Sequence, residues 1–517
     1  VTAPVADQPT TSTPPGHVFV VRGLLESIAC DAVIVPTSSS FRPRYTWFSV
    51  LGVEDRTAPA GASDDRVRPF PTDSNHGPAW LLNVAHDGHR SVNWLVDGLR
   101  AAFDRIAAEL ALHSLGDGRV RPLVALPTLG VGLGGYEGVR GEVIRALHST
   151  AMDFVAHSDF DVVFVVENAA DYAAFQSIRK AASNEGRDEA RRLAELIAGG
   201  DVALLLGAGV SISAGLPTWD NLLGQLKNTL LPDLDPEVFS ELGVLDQAQL
   251  LANSSPSKAL GHSVSQLIKS VGVKKPTLSH CLLASLKVAK VVTTNYDSLY
   301  EDAFNAAHRS ASISVLPRGD VVADQPWLLK MHGDVEDPES IVLSRRDFVQ
   351  YDAERRPLGS IVQSLMSTGH LVVIGASMTD DNVLRLAHEV LAMNARYDQE
   401  RVLGTVITLR PDAIRSALWK GDFDFIPAST APTDSIAARD LEILLDRVAM
   451  HASEQSRYLL DPRYAELLAD DEQRLARTLS EVAGAINGLS KEKKNRWTAL
   501  STVISELGHT PNSEKQP

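Results

Sequence analysis

The sequence predicts an α/β protein built on parallel sheets, with a helical module inserted in its central part and an all-helical end. Three observations carry that prediction. Val202 to Leu206 is an unbroken apolar run, as long as a strand buried on both faces, and it ends in Gly207-Ala208-Gly209. Later apolar runs exit into short polar clusters at Thr293-Thr294-Asn295-Tyr296-Asp297, His332-Gly333-Asp334 and Gly375-Ala376-Ser377. Beyond Pro432 the apolar residues recur at helical spacing instead.

Composition narrows the function. The chain has 517 residues, enough for about two to four domains. Its formal net charge of −16 argues against broad nucleic-acid binding. The two cysteines, Cys30 and Cys281, lie far apart in apolar segments. They can build neither a disulfide framework nor a four-cysteine zinc site, so no metal and a reducing cytoplasm are expected. No apolar run approaches the roughly 20 residues of a membrane span, and no secretory pattern opens the chain.

In order, residues 1–16 are rich in Pro and Thr and read as a disordered lead-in. Residues 17–182 read as one α/β unit. Its strands are His17 to Val21, Ala32 to Val35, Val124 to Leu126 and Asp161 to Val166. Its helices are Val92 to Leu112, Arg140 to His157 and Asp171 to Lys180, with a glycine-rich turn at Gly130 to Gly135. Phe41 to Pro71 lacks periodicity and reads as loop-rich. A charged hinge, Asn184 to Arg191, leads to a second unit over residues 185–430. Its strands are Val202 to Leu206, Val288 to Thr293, Trp327 to Met331, Leu371 to Ile374 and Val402 to Leu409, with helices inserted after Trp219. Residues 431–508 are helical. Apolar stripes there run through Leu441, Leu445 and Val448, through Leu475, Leu479, Val482 and Ile486, and through Trp497, Leu500, Val503 and Ile504. They pack on the chain's own core or on another copy. Residues 509–517 read as a disordered tail.

At Gly207-Ala208-Gly209 the missing Cβ atoms let a phosphate approach backbone N–H groups, beside the positive end of a following helix. A plain tight turn would look the same. The polar clusters add weight, because the carboxyl ends of parallel strands share one edge, where ligands bind at the switch in strand order.

Gly207-Ala208-Gly209-Val210-Ser211, Gly215-Leu216-Pro217, Pro276 to His280, Thr293 to Asp297, Lys330-Met331-His332-Gly333-Asp334 and Gly375-Ala376-Ser377 occur in one order. Together they resemble the sirtuin fold from about Asp188 to Ala428, which implies a Rossmann-like NAD-binding domain. The likeness is nearest to the antiphage-defence branch of bacterial sirtuins typified by the Thoeris effector, whose members consume NAD+. The cysteines of the deacylases' zinc ribbon are absent, and Trp219-Asp220 follow Pro217 where deacylases carry Phe-Arg.

The resemblance implies an NAD+ glycohydrolase. Backbone N–H groups of Ala208, Gly209 and Val210, after Gly207, would hold the diphosphate with the Ser211 hydroxyl. Pro217 and Trp219 would wall the pocket, and Gly375 with Ser377 would meet the phosphate or adenosine ribose from the other side. Asn295 and Asp297, beside Thr294, would hold the nicotinamide ribose and the attacking water, with His332 as general base. Asp380 would cap a helix and touch the adenosine end, and Asp297 would cap a helix, catalyse or do both. The alternatives are a protein deacylase or ADP-ribosyltransferase, and a non-catalytic NAD-binding subunit.

Residues 17–182 resemble a macrodomain, an α/β/α module. The likeness rests on Gly23 with Asp31-Ala32-Val33-Ile34, on Gly130 to Gly135, and on Val162 to Val166 with Tyr172 and Phe175. Leu24 stands where the family has Asp, and Val35 and Ser38 where it has asparagines. The module would sense an ADP-ribose-like nucleotide or serve as a scaffold that binds nothing. Assembly into a homo-oligomer and a protein partner such as a defence ATPase complete the expectations.

Overall fold

The computed structural model describes residues 15–55, 57–61, 65–71, 77–85, 91–110, 119–183, 188–255, 259–271, 275–309, 312–323, 325–399 and 401–509. Most of the expected lead-in and tail, and part of the hinge, lie outside the described residues. Two sheets form. The first holds β1 (Val18–Arg22), β2 (Ala32–Thr37), β3 (Val67–Phe70), β4 (Ala79–Asn83), β5 (Leu123–Leu126) and β6 (Asp161–Val166). Its order is β1-β6-β5-β2-β4-β3, parallel except where β3 pairs with β4.

The second holds β7 (Val202–Leu206), β8 (Lys290–Thr293), β9 (Ser314–Leu316), β10 (Trp327–Lys330), β11 (His370–Ile374), β12 (Gly404–Thr408) and β13 (Phe423–Pro427). These seven strands are parallel, in the order β13-β12-β11-β7-β8-β10-β9. The fold class is as the sequence predicts. Four strands, β3, β4, β9 and β13, are additional to those expected, and three of them are ones that periodicity under-reads. β3 contains Pro69, which a sheet tolerates at its edge. β9 is three residues long, and β13 is interrupted by Asp424.

Strand order places both crevices. In the first sheet the β2–β5 ladder stops at Val33 and Ala125. Past that point Pro36 to Ser38 on one side and Pro127 to Gly134 on the other line a cavity of about 700 Å³. In the second sheet the order reverses at β7, which lies between β11 and β8. The carboxyl ends of those three strands are therefore the place for a ligand.

One core joins the two sheets. Helix Leu278–Ser285 is buried at every position, as expected of a helix apolar on nearly all sides. Its Leu278, Leu282 and Leu283 share a cluster with Phe19 and Val21 of β1 and with Val202 and Leu204 of β7. Helix Asp434–Ala452 enters the same cluster through Leu441, Leu445 and Val448. It also crosses to the first sheet by buried ion pairs. Arg439 grips Asp161 through two bonds of 2.7 and 2.8 Å, and Asp446 accepts from Arg179 and lies 2.8 Å from His17 Nε2. The first C-terminal stripe thus packs on the chain's own core. The other two are divided: Ile486 and Ile504 are buried, whereas Leu475, Val482, Trp497 and Val503 are exposed.

The inserted helices Trp219–Leu230, Pro236–Ser240, Val244–Asn253 and Ala259–Ser270 form a further small core. Leu222, Leu226, Phe239 and Val264 gather there around Tyr296 and Leu343. No helix among the described residues is long and apolar enough to cross a membrane.

Candidate active site

The glycines after β7 do their work against another turn. Gly207 N–H donates to Ile374 O at 2.9 Å, and Gly209 N–H donates to Gly375 O at 2.8 Å. A Cβ on Gly207 would sit 2.5 Å from Gly375 O, and one on Gly209 would sit 2.8 Å from Gly375 Cα. Gly375 itself has φ +70°, which favours glycine. The motif therefore lets two strand-end turns lie backbone to backbone. Val210 N–H also turns inward, to Gly207 O at 3.1 Å. Of the three N–H groups expected to hold a diphosphate, those of Gly209 and Val210 donate within the fold.

The Ser211 hydroxyl is committed as well. Thr277 N–H donates to His280 Nδ1 at 3.3 Å, with Thr277 Oγ1 2.8 Å from the same nitrogen, as at a helix start where the third residue reaches back. An Nδ1 that accepts leaves the imidazole proton on Nε2, which faces Ser211 Oγ at 3.2 Å. Ser211 then donates its own proton to Asp297 Oδ2 at 3.0 Å. Asn295 Nδ2 donates to Ser211 Oγ at 3.2 Å and to Gly207 O at 3.1 Å. Every hydrogen in this chain has one consistent place. Burial pushes the His280 pKa down to about 4, in keeping with a neutral ring. Ser211 is only 2% exposed, so its hydroxyl orders the site from within.

The consequence falls on Asn295. With both amide hydrogens held inside, its Oδ1 is buried and lacks a hydrogen-bond partner. Asn295 lines a small compartment of about 50 Å³ with Ala208, Ser211, Pro217, Trp219, Thr294 and Asp297, room for a few water molecules. Ala208, Trp219 and Thr294 also line an adjoining cavity of about 600 Å³ with Gly207, Gly375, Ser377 and Asp380. That volume is in the range of small-molecule sites. Asp297 serves the network and also precedes the N-cap Ser298 of helix Leu299–Ala307, its Oδ1 accepting the Leu299 N–H at 3.1 Å.

His332 stands behind the wall of this cavity. It is 1% exposed, packed against Phe348 and Tyr351, and both ring nitrogens lack a hydrogen-bond partner. Its Nε2 is 3.4 Å from Asp380 Oδ2, while Asp380 Oδ1 accepts the Val383 N–H and caps helix Asp381–Arg396. Burial lowers the His332 pKa, with Asp380 opposing, which favours the neutral ring a general base requires. Asp380 lines the cavity, whereas His332 does not.

Two residues contained in the motifs were given no role in the site by the sequence. One is His280. Its place three residues after Thr277 was the available signal. The other is Lys330, 1% exposed, whose Nζ donates to Asp297 O at 2.7 Å and Tyr296 O at 3.2 Å and pairs with Glu301 at 2.7 Å and Asp334 at 3.3 Å. It clamps the segment that presents Asn295. Among the described residues no group of three or more His, Cys, Asp or Glu side chains is placed to hold a metal ion.

Residues 289–423 match the family model described as SIR2-like domain. Over 210 residues the chain is 28% identical to the NAD(+) hydrolase ThsA of Enterococcus faecium, covering 39% of this chain and 42% of that protein. It is 27% identical over 206 residues to the NAD(+) hydrolase ThsA of Bacillus cereus (strain MSX-D12), with the same coverages. It is 27% identical over 207 residues to the defense-associated sirtuin 2 of Bacillus subtilis, covering 39% of this chain and 20% of that protein. The matched stretch thus spans less than half the length of these curated relatives. Among solved structures, the Trypanosoma brucei macrodomain in complex with ADP-ribose aligns at 12% identity and TM-score 0.24, covering 32% of this chain and 69% of that one. The Oceanobacillus iheyensis macrodomain with ADP aligns at 11% and TM-score 0.23, covering 32% and 90%.

Proposed function

We propose that this chain, which carries a SIR2-like domain at residues 289–423, hydrolyses NAD+ to nicotinamide and ADP-ribose and acts as an NAD-depleting effector of antiphage defence. The observation that carries the reading is the unpartnered Oδ1 of Asn295, buried in the wall where the ends of β7, β8 and β11 meet. It is an acceptor waiting for a donor, and a ribose hydroxyl or the attacking water supplies one.

NAD+ lies along the larger cavity, with its adenosine end toward Ser377 and Asp380 and its nicotinamide ribose toward Asn295. The bond from ribose C1′ to the nicotinamide nitrogen breaks, and its electron pair leaves with nicotinamide. Water adds to C1′ and gives up its proton to Asp297, the carboxylate that lines the same compartment as Asn295. Holding the reactants in line while excluding bulk water supplies the rate. The relatives named as NAD(+) hydrolases support this reading.

An unrestrained enzyme of this kind would exhaust its own cell, so the reading includes control. The cavity between β2 and β5 takes an ADP-ribose-like nucleotide as the signal. Further copies of the chain, through the exposed stripe at Leu475, Val482, Trp497 and Val503, and a defence ATPase are its protein partners, in the cytoplasm. The burial of His332 favours a second reading, a non-catalytic NAD+-binding subunit. Incubation of the purified chain with NAD+, with and without cyclic and linear ADP-ribose, decides between them by nicotinamide release. Binding without turnover under every activator supports the second reading, and ADP-ribose attached to protein in place of free product supports a transferase.

A further inference from the structure

Resting on the reading that the cavity between β2 and β5 holds an anionic nucleotide, we infer that Arg309, contributed by the SIR2-like half, grips that ligand's diphosphate and that helix Leu299–Ala307 links occupancy of the cavity to Asn295 and Asp297. Arg309 lines the cavity together with the Gly130–Gly134 loop, although it follows β8 in sequence and belongs to the other sheet's connections. It also lines a shallower extension that runs between Leu24 to Ser27 and Asp302 to Ala306, along the junction of the two halves.

Two of the arginines that line the cavity, Arg140 and Arg309, differ in their freedom. Arg140 is held by two bonds of 2.7 Å to Asp171, a 2% exposed carboxylate that also accepts from Tyr464. Its charge is neutralised within the wall. Arg309 is paired with Glu167, and the two side chains are 62% and 58% exposed. An exposed pair of that kind holds weakly, and a guanidinium exchanges a single carboxylate readily for a diphosphate that offers it a two-pronged acceptor.

The route to the active site is one short element. Helix Leu299–Ala307 has nine residues, a length of about 13 Å. At its start Asp297 Oδ1 accepts the Leu299 N–H, and the other oxygen of Asp297 belongs to the Ser211 network. At its end His308 Nε2 lies 3.0 Å from Ala284 O, and Arg309 follows directly. Tyr300, Ala303, Phe304 and Ala307 seat the helix in the shared core. A ligand that draws Arg309 from Glu167 therefore acts on the element that positions Asp297, and the two cavities share a coupling free energy.

The test uses the full chain and ADP-ribose as the probe. Calorimetric titration should show binding to the wild type, at least tenfold weaker binding to R309A, and tighter binding to E167Q, which removes the competing carboxylate. Amide exchange over 295–309 should slow on adding ADP-ribose to the wild type and stay unchanged in R309A at the same concentration. Equal affinity of R309A and wild type overturns the assignment of Arg309 while leaving the nucleotide cavity standing. Binding with no response over 295–309 overturns the link through the helix. A wild type that binds no ADP-ribose removes the underlying reading, and this inference falls with it.

Discussion

The Asn295 side chain donates to the Ser211 hydroxyl at 3.2 Å, and this bond ties the end of β8 to the glycine turn after β7. Because Ser211 in turn donates to Asp297 and receives from His280, the carboxamide has only one orientation that satisfies all four groups. Asn295→Ala removes the acceptor that faces the compartment. We expect NAD+ turnover to fall by about 10³, equivalent to ~4 kcal/mol of transition-state stabilisation, while the circular dichroism melt keeps its shape. Near-normal nicotinamide release by a folded N295A protein would remove Asn295 from the mechanism.

The glycine turn gives a contrast within one protein. Gly207→Ala places a Cβ 2.5 Å from Gly375 O, a backbone atom that cannot swing aside. Overpacking of this sort should cost about 1–3 kcal/mol. Gly132→Ala, whose Cβ would meet nothing within 4 Å, should stay within about 0.5 kcal/mol of wild type. Urea unfolding of the two variants checks the pair, and equal stability would mean that β7 and β11 end farther apart than described.

Acid should weaken the protein in a window set by buried histidines. The His280 pKa is about 4 in the fold because burial disfavours the cation, against about 6.5 when unfolded. Between those values the unfolded chain binds a proton that the folded chain does not. Stability from this site is complete above pH ~6.5 and falls by about 1.4 kcal/mol per unit, about 3 kcal/mol in all by pH ~4. His148 and His308, each also pushed down to about 4 by burial, act in the same direction. Glu301, raised to about 7 by burial, opposes them and cancels when variants are compared. His280→Gln should flatten the slope of unfolding free energy against pH by about one proton relative to wild type. Parallel slopes would place His280 in water.

Asp446 holds the two halves together from the middle of helix Asp434–Ala452. It is 0% exposed and neutralises Arg179, itself 8% exposed. Asp446→Asn leaves that guanidinium buried without a counter-charge, which should cost about 3–5 kcal/mol. Since the sheets share one core, tryptophan fluorescence and circular dichroism should shift to lower urea together. An unchanged midpoint, or a shift in one probe alone, would show that the halves stand independently.

Much of the site was legible because its residues sit at strand ends. Val202 to Leu206 has the length and apolar content of a buried strand, and β8 and β11 announced themselves in the same way, so Gly207, Thr294, Asn295, Gly375 and Ser377 fell along one edge. What could not be read was the partner of each polar group. His280 meets Ser211 across 69 positions and Asn295 meets Gly207 across 88. Nothing local to either residue says which carbonyl or hydroxyl will satisfy it. His332 shows the same limit from the other side, since residues of the following helix, Phe348 and Tyr351, close over it.

By itself, then, the sequence determined the alternation of apolar runs and helices, the placing of glycine where the chain must turn sharply, and the polar composition of the strand ends. These are properties of neighbours along the chain, written in periodicity and in the conformational range of single residues. The tertiary structure alone decided that Gly207 and Gly209 serve a backbone contact with Gly375, that Ser211 is an internal hub, and that one core unites both sheets through Leu278–Ser285. Those outcomes depend on which distant surfaces meet, and a hydrogen bond or a steric limit exists only once both of its partners are in place.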